Sequence, residues 1–368
     1  MLNIRPTPPP PTETRSERRE PLRTPPPARP ERSDVGGASA VGERNFAAGL
    51  LRFAVEKLAD AMQAVTAPQP LLSCHEITRV IRENAPILVF SPAERDFPAA
   101  PLEYIENAEL REHRRLLPDR EMEESGEIDP SRLAQLDDDH YYFLNLDNGD
   151  NRRLGQTPDA DGRSGAPIHY QLDQGPPLKV TYHVFYAYND GPSVQNHDGD
   201  WERITVEFRE AGQGGERRYE PAHVHFSAHH GGSSVTWEDA QKDENGRLLV
   251  YVAKGSHANY SAPGNQPTIY NADPDFNPLQ RIPAPEDVFG QGFENLTDDE
   301  TATDRNGDGR IDAGDGAVIF DTAQSPLTDV TAQAWYPEDG EGFYWGVRRE
   351  IGDLSGPQGP SEEKGHVK

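Results

Sequence analysis

The chain has 368 residues, and its hydrophobic content of 34% with 33 Gly and 34 Pro excludes a compact helical protein. Its formal net charge of -27 argues against a nucleic-acid partner and makes divalent cations the natural counterions. The single Cys74 excludes an internal disulfide and a cysteine-rich zinc framework. No secretory signal is apparent and no stretch approaches the roughly 20 apolar residues of a membrane span, so we expect no transmembrane segment. The expected location is cytoplasmic by default, with non-classical export as the alternative.

The amino-terminal part of the chain divides into two segments of different composition. Residues 1–42 are dense in Pro with scattered Arg and Glu, which predicts a disordered arm; a solvated tail is the simplest reading, and a polyproline ligand for a partner is the alternative. Apolar residues then recur every three or four positions, so residues 43–84 are predicted to form a helical segment. Ser73 and Glu76 have capping-box spacing, which predicts a short second helix that ends near Asn84.

The rest of the chain has the pattern of strands. The segments "PILVF", "HYYFLNL", "LKVTYHVFYAY", "RITVEF", "AHVHFSA" and "LLVYVAK" are separated by clusters of Gly, Pro, Asn and Asp, with no repeated helix between them. Residues 85–361 are therefore predicted to form a mainly β domain, an antiparallel β-sandwich with long loops, followed by a short tail at 362–368.

The segment "HDGDWE" places three carboxylates directly before the alternating run "RITVEF". Side chains of a strand alternate between faces, so Asp200 and Glu202 share the inward face of the apolar residues Ile204, Val206 and Phe208. If the strand extends that far, two carboxylates point inward and need a compensating partner. The alternative is that the strand begins only at Arg203, which leaves "HDGD" as a polar turn.

A cation is one such partner. Asp200, Glu202 and one or more histidines would form an oxygen-rich set suited to Mg, Ca or Mn, and imidazole also admits Zn. Further histidines follow in "AHVHFSAHHGG" and "GSHANY"; His229 and His257 stand at strand ends beside glycines, so they are candidates for a general acid or base. His223 and His225 alternate with Val224 and Phe226, which predicts that these two imidazoles are solvated.

Four blocks together carry a family resemblance. "VTYHVFYAYND", "HDGDWERITVEF", "HFSAHHGG" and "VYVAKGSHANY" occur in the order and wording of the family resembling vacuolar protein sorting-associated protein 62, and "APILVFSPAERDFPAAPLEYIENAEL" and "YWGVRREIGDLSGPQGPS" are similar to its opening and closing segments. Ala228, His230, Asn259 and Ser261 depart from the family's usual residues. The "DWE" core more loosely resembles that of necrosis- and ethylene-inducing peptide-like toxins, which implies His197, Asp200 and Glu202 as ligands of a cation that binds lipid head groups.

A second cation motif lies in "DRNGDGRIDAGD", which has the ligand spacing of a calcium loop. The residues with side-chain oxygens are Asp304, Asn306, Asp308, Asp312 and Asp315, and Arg310 offers its backbone carbonyl. The twelfth position is Asp rather than Glu and neither flank has helical periodicity, so we predict a lone EF-hand-like structural loop within an acidic insertion at about 294–325. An acidic turn without an ion is the alternative.

These observations favour a metal-dependent binding protein, in which a divalent cation presents an open coordination position to a lipid head group or another small polar or anionic ligand. One alternative is a metal-assisted hydrolase that uses His229 or His257. Another is a protein whose cations only stabilise its fold. The chain has no G-x-S-x-G, P-loop or H-E-x-x-H motif, which weakens the catalytic alternative.

Overall fold

The computed structural model describes part of the chain. The described residues are 72–114, 117–136, 141–146, 154–190, 196–212, 218–228, 231–266, 299–337, 343–346 and 359–360. The predicted disordered arm, the first predicted helix, His229 and the tail lie outside these residues. Within them the protein is mainly β, as predicted, with three short α-helices. No helix of the described ranges is both long and apolar enough to span a bilayer.

The elements follow one another along the chain with short helices near the beginning and strands throughout. The helices are α1 (Cys74–Glu83), α2 (Pro101–Glu106) and α3 (Pro130–Leu133). The first nine strands are β1 (Ile87–Phe90), β2 (Ala108–His113), β3 (Arg120–Glu123), β4 (Tyr141–Leu146), β5 (Ile168–Asp173), β6 (Leu178–Asn189), β7 (His197–Ala211), β8 (Arg218–Ala228) and β9 (Gly231–Thr236). The remaining strands are β10 (Leu249–Val252), β11 (Asn259–Tyr260), β12 (Asn265–Gln266), β13 (Asp299–Glu300), β14 (Val318–Asp321), β15 (Leu327–Asp329) and β16 (Phe343–Tyr344).

A six-stranded sheet in the order β15-β5-β6-β7-β8-β9 forms the central layer. Its long strands β6 and β7 pair in antiparallel register, with Val184 opposite Glu202 and Tyr186 opposite Asp200. Most side chains of these two strands are buried whichever way they point, so both faces of the sheet are covered by other elements.

A four-stranded sheet in the order β11-β10-β1-β14 covers one face of the central layer. Leu88, Val250 and Phe320 of this sheet pack into the same core as Tyr186 and Val206 of the central sheet. Helix α1 completes that core with Val80 and Ile81. As predicted, α1 begins with a capping box between Ser73 and Glu76, and it ends at Glu83 with Asn84 as its C-cap.

A third sheet, in the order β16-β4-β2-β3, covers the opposite face of the central layer. Its Leu110, Leu144 and Phe343 share a second core with Phe185 and Trp201 of the central sheet, and Trp335 and Trp345 fill the space between them. In the part of the chain that the structure describes, three β layers therefore enclose one hydrophobic core on each face of the central sheet.

Two details of the predicted architecture are corrected. The predicted sandwich was antiparallel, whereas the sheets are mixed: β1 pairs parallel with β10, β15 with β5 and β16 with β4. Parallel partners need long connections, and these pairs join strands distant in sequence, so alternation within one strand could not reveal them. The predicted insertion at about 294–325 also includes β14, which pairs with β1 and places Phe320 in the core, so its second half is part of the fold.

Candidate functional site

Strand β7 begins at His197, so the whole of "HDGDWE" lies inside the strand. The alternative that the strand begins at Arg203 is wrong. Gly199 has φ 65°, and a Cβ at this position would lie 2.2 Å from the backbone oxygen of Trp345, which explains why glycine interrupts the acidic segment. Asp200 and Glu202 face the core that contains Tyr186, and each is only 7% exposed.

Other carboxylates join them where β1 and β10 end. Glu94 and Asp96 follow β1, Asp198 precedes Gly199 on β7, and all three are buried. We call Glu94, Asp96, Asp198, Asp200 and Glu202 the acidic cluster. Because β1 and β10 are parallel, the segments after their carboxyl ends lie together, which is a common location of ligand sites in sheets with parallel strands.

The segment after β10, "GSHANY", donates hydrogen bonds to several of these carboxylates. The backbone N–H of Gly255 donates to Glu94 Oε2 at 2.8 Å, and Asn259 Nδ2 donates to Glu202 Oε2 at 3.2 Å. Ser227 on β8 also donates to Glu202. The segment therefore stabilises much of the buried negative charge, as charge-assisted hydrogen bonds do.

His257 is the centre of this arrangement. Its side chain is fully buried, with Nδ1 2.9 Å from Asp200 Oδ2 and Nε2 4.0 Å from Glu94 Oε1. Nε2 has no hydrogen-bond partner among the described residues. Burial lowers the pKa of His257, but the Asp200 hydrogen bond and the charges of Glu94, Asp200 and Asp96 outweigh burial, so the net pKa is raised. His257 also adopts φ 57°, an uncommon conformation for a residue other than glycine.

Tyr186 lies directly against His257. The two rings are stacked, with centroids 3.8 Å apart and planes within 2°. The hydroxyl of Tyr186 is buried and has no hydrogen-bond partner among the described residues. Burial raises the pKa of Tyr186 well above its usual value, and the charges of Glu202, Asp200 and Glu94 raise it further. Two buried polar atoms, Tyr186 Oη and His257 Nε2, thus lie next to the acidic cluster without partners of their own.

The histidine predicted as the third metal ligand does not join Asp200 and Glu202. His197 Nδ1 lies 2.8 Å from the backbone oxygen of Gly199, and its Nε2 lies 2.8 Å from Asn189 Nδ2. Both ring nitrogens are therefore engaged. In the part of the chain that the structure describes, no three His, Cys, Asp or Glu side chains are arranged to hold a metal ion.

Comparison with known proteins adds two relatives from Saccharomyces cerevisiae. The chain is 25% identical over 223 residues to vacuolar protein sorting-associated protein 62, which covers 51% of this chain and 46% of the relative. It is 24% identical over 269 residues to putative vacuolar protein sorting-associated protein TDA6, which covers 61% of this chain and 55% of the relative. The chain thus resembles Vps62. It spans about half the length of the curated relatives it matches. No family model matches it, and no solved structure matches it.

The predicted calcium loop of the Vps62-like chain folds as a series of turns. Asp304 accepts hydrogen bonds from the backbone N–H groups of Gly307 and Gly309, and Asp315 accepts from those of Arg305 and Asn306. Strands β13 and β14, rather than helices, precede and follow the loop. Its carboxylates are thus held by backbone N–H groups, and calcium binding there stays a prediction.

Sequence reasoning missed part of the acidic cluster of this Vps62-like chain. Glu94 and Asp96 lie in "SPAERDFP", immediately after the apolar run "PILVF". Their position at the end of a buried strand was a usable signal, but only the pairing of β1 with β10 places them beside His257. The predicted exposure of His223 is observed, and His225 is half-buried with Nδ1 3.0 Å from Ser234 Oγ.

Proposed function

We propose that the Vps62-like chain binds a divalent cation at the acidic cluster and uses the cation to hold a polar or anionic group, such as a lipid head group. The observation that carries this proposal is the charge of the cluster. Five carboxyl groups are buried there, and the imidazole of His257 lies within 4.0 Å of two of them, Glu94 and Asp200. Buried charges that lack compensation are costly, and a divalent cation offsets two of them.

The oxygen ligands define the kind of cation. Glu94, Asp200 and Glu202 offer carboxylate oxygens of the type that Mg, Ca and Mn prefer, and His257 Nε2, after loss of its proton, would add the nitrogen that Zn accepts. We therefore place the proposed site around Asp200 and Glu202, as the sequence indicated, with Glu94 as a further ligand. Ligation by His197 would require its ring to leave Asn189 and the backbone of Gly199.

The proposal is tested by the metal content of the purified full chain. We expect one bound Mg, Ca, Mn or Zn at the acidic cluster by calorimetry and elemental analysis, and we expect Glu202→Gln to lose it because a neutral amide replaces a charged ligand. Glu207→Gln is the matched control, since Glu207 lies on the same strand outside the cluster. Equal metal content at this site in both variants would refute the proposal.

The head-group part of the proposal rests on the looser resemblance of "DWE" to the toxin family. The full chain carries a net charge of -27 and is repelled by anionic vesicles, so any binding to phosphatidylserine should require the cation. We expect vesicles of phosphatidylserine to sediment the protein with Ca or Mn present and not with chelator. Vesicle binding that is unaffected by chelator would show that the protein binds the membrane without the cation, and would contradict this part of the proposal.

A second function, hydrolysis assisted by His257, is favoured by one observation. The Asp200–His257 hydrogen bond leaves Nε2 without a partner, as in a catalytic histidine oriented by a carboxylate. Turnover of phosphoester, ester or glycoside substrates that is lost in His257→Asn, with metal still bound, would establish this function instead. For the loop at 304–315 we keep calcium as the proposed ligand, with a structural role.

A further inference from the structure

The acidic cluster lies on one side of the central sheet. A second cluster of buried polar side chains lies on the other side, between the central sheet and the third sheet. It consists of five side chains, which we call the donor cluster: His169, His183, Trp201, Trp335 and Tyr336. His169 on β5 stands directly opposite His183 on β6, and His183 stands opposite Arg203 on β7. None of the five side-chain residues is more than 8% exposed.

The donor cluster is contiguous. The ring of His169 lies 5.8 Å from that of Trp201 and 5.6 Å from that of Trp335, measured between centroids. The two indoles are 5.5 Å apart, and Tyr336 lies 6.3 Å from Trp335. These are ordinary distances for packed aromatic rings, so the four rings form one group, and His183 adjoins it as the cross-strand neighbour of His169.

Each of the five side chains carries a buried polar atom that has no hydrogen-bond partner among the described residues. The atoms are His169 Nε2, His183 Nε2, Trp201 Nε1, Trp335 Nε1 and Tyr336 Oη. A buried polar group without a partner costs about 1 to 3 kcal/mol, and such groups are rare in folded proteins. Five in one place indicate that something other than the described protein atoms satisfies them.

The chemistry of these atoms selects the partner. An indole N–H only donates, and the hydroxyl of Tyr336 is able to donate. Thr328 Oγ1 lies 2.9 Å from His169 Nδ1. When the hydroxyl of Thr328 donates its hydrogen bond to Nδ1, the ring proton is on Nε2, and Nε2–H is a donor. Burial, helped by the charge of Arg203, lowers the pKa of His183 to about 3, so its imidazole is neutral and carries one N–H.

We propose that the donor cluster binds a small oxyanion, the carboxylate or phosphate group of a ligand, with Arg203 supplying positive charge. An oxyanion accepts hydrogen bonds from N–H and O–H donors such as these, which a cation or an apolar group does not. The nearby carboxylate of Asp329 accepts from the backbone N–H and the hydroxyl of Thr331, which partly neutralises it. The donor cluster is thus distinct from the acidic cluster in both place and charge.

The test uses the full chain with 5-fluorotryptophan in place of its four tryptophans. We expect inorganic phosphate or acetate, added at constant ionic strength, to shift the ¹⁹F signals of Trp201 and Trp335 in a saturable way. The signal of Trp237, which lies outside the donor cluster, is the internal control. Saturation by one anion and not the other identifies the group that binds. Shifts that are absent or linear with both anions would mean that only water fills this space, and would overturn the proposal.

Two variants keep the test independent of folding and of the cation proposal. Tyr336→Phe removes one donor at little cost in volume, so we expect anion affinity to fall about five-fold without loss of stability. Arg203→Gln should weaken binding more, whereas Arg209→Gln, on the exposed end of the same strand, should not. Glu202→Gln should leave the anion response unchanged. Unaltered affinity in both Tyr336→Phe and Arg203→Gln would contradict the assignment of this cluster.

Discussion

The two faces of strand β7 carry opposite chemistry within four residues. In "DWER", Asp200 and Glu202 point to the side of the central sheet on which His257 lies, while Trp201 and Arg203 point to the other side, as His169 does. The first face is rich in acceptors and negative charge, and the second is rich in donors. Alternation along one strand is therefore sufficient to separate two polar sites, and a slip by one residue would exchange them.

The largest expected effect comes from removing the cationic partner of the acidic cluster. In His257→Asn, the carboxylates of Asp200 and Glu94 lose the imidazole, and breaking a buried charged pair costs about 3 to 5 kcal/mol. Asn tolerates the positive φ of this position, so the change removes the imidazole without adding backbone strain. Urea unfolding measures the loss. His223→Asn, at an exposed position, should stay within about 0.5 kcal/mol of the parent chain.

The second prediction concerns acid pH and the donor face. Burial lowers the pKa of His169 to about 4, and burial with the charge of Arg203 lowers that of His183 to about 3, both from 6.5. The unfolded chain therefore binds more protons below pH 6.5, and each histidine should remove about 1.4 kcal/mol of stability per pH unit down to its folded pKa. Unfolding in urea from pH 7 to pH 4.5 should show a shallower slope in His183→Phe. An unchanged slope would mean that this imidazole is already charged or solvated.

The third prediction concerns the loop at 304–315, which belongs to neither face of β7. If the loop at 304–315 binds calcium, calcium at one hundred times its dissociation constant should stabilise the chain by about 2.7 kcal/mol. Asp304→Ala with Asp308→Ala should remove that response while leaving the response to phosphate intact. Asp243→Ala is the control, because Asp243 also accepts backbone N–H groups within a turn. Stoichiometry unchanged in the double variant would reject the loop as a calcium site.

The smallest expected effect is the response of the acidic face to alkaline pH. The pKa of His257 is raised above 6.5 only because hydrogen bonding and carboxylate charges exceed the opposing effect of burial. Its contribution is fully present below pH 6.5 and is lost as the pH rises through the raised pKa. Stability measured between pH 7 and pH 9 should therefore fall in the parent chain and stay flatter in His257→Asn. The two faces of β7 would then respond to pH in opposite directions.

Much of the fold was predictable from local pattern. Alternation predicted the inward face of Asp200 and Glu202, and the capping box predicted helix α1, because both depend on residues close together in sequence. The parallel pairs of strands were not predictable from such patterns, since they depend on distant partners. The same limit hid Glu94, which reaches His257 only through the pairing of β1 with β10. The donor cluster was not predicted, because isolated His, Trp and Tyr residues among apolar ones are the normal composition of a core.

The position of β1 between β10 and β14 affects how the chain folds while it is being synthesised. Ile87 of β1 pairs with Leu249 on one side and with Asp321 on the other. Pairing across such separations is slow, because a long loop must close before any contact forms. During synthesis, this early strand is exposed on both edges until its late partners emerge. A nascent chain of this protein should therefore depend on protection from aggregation for most of its translation.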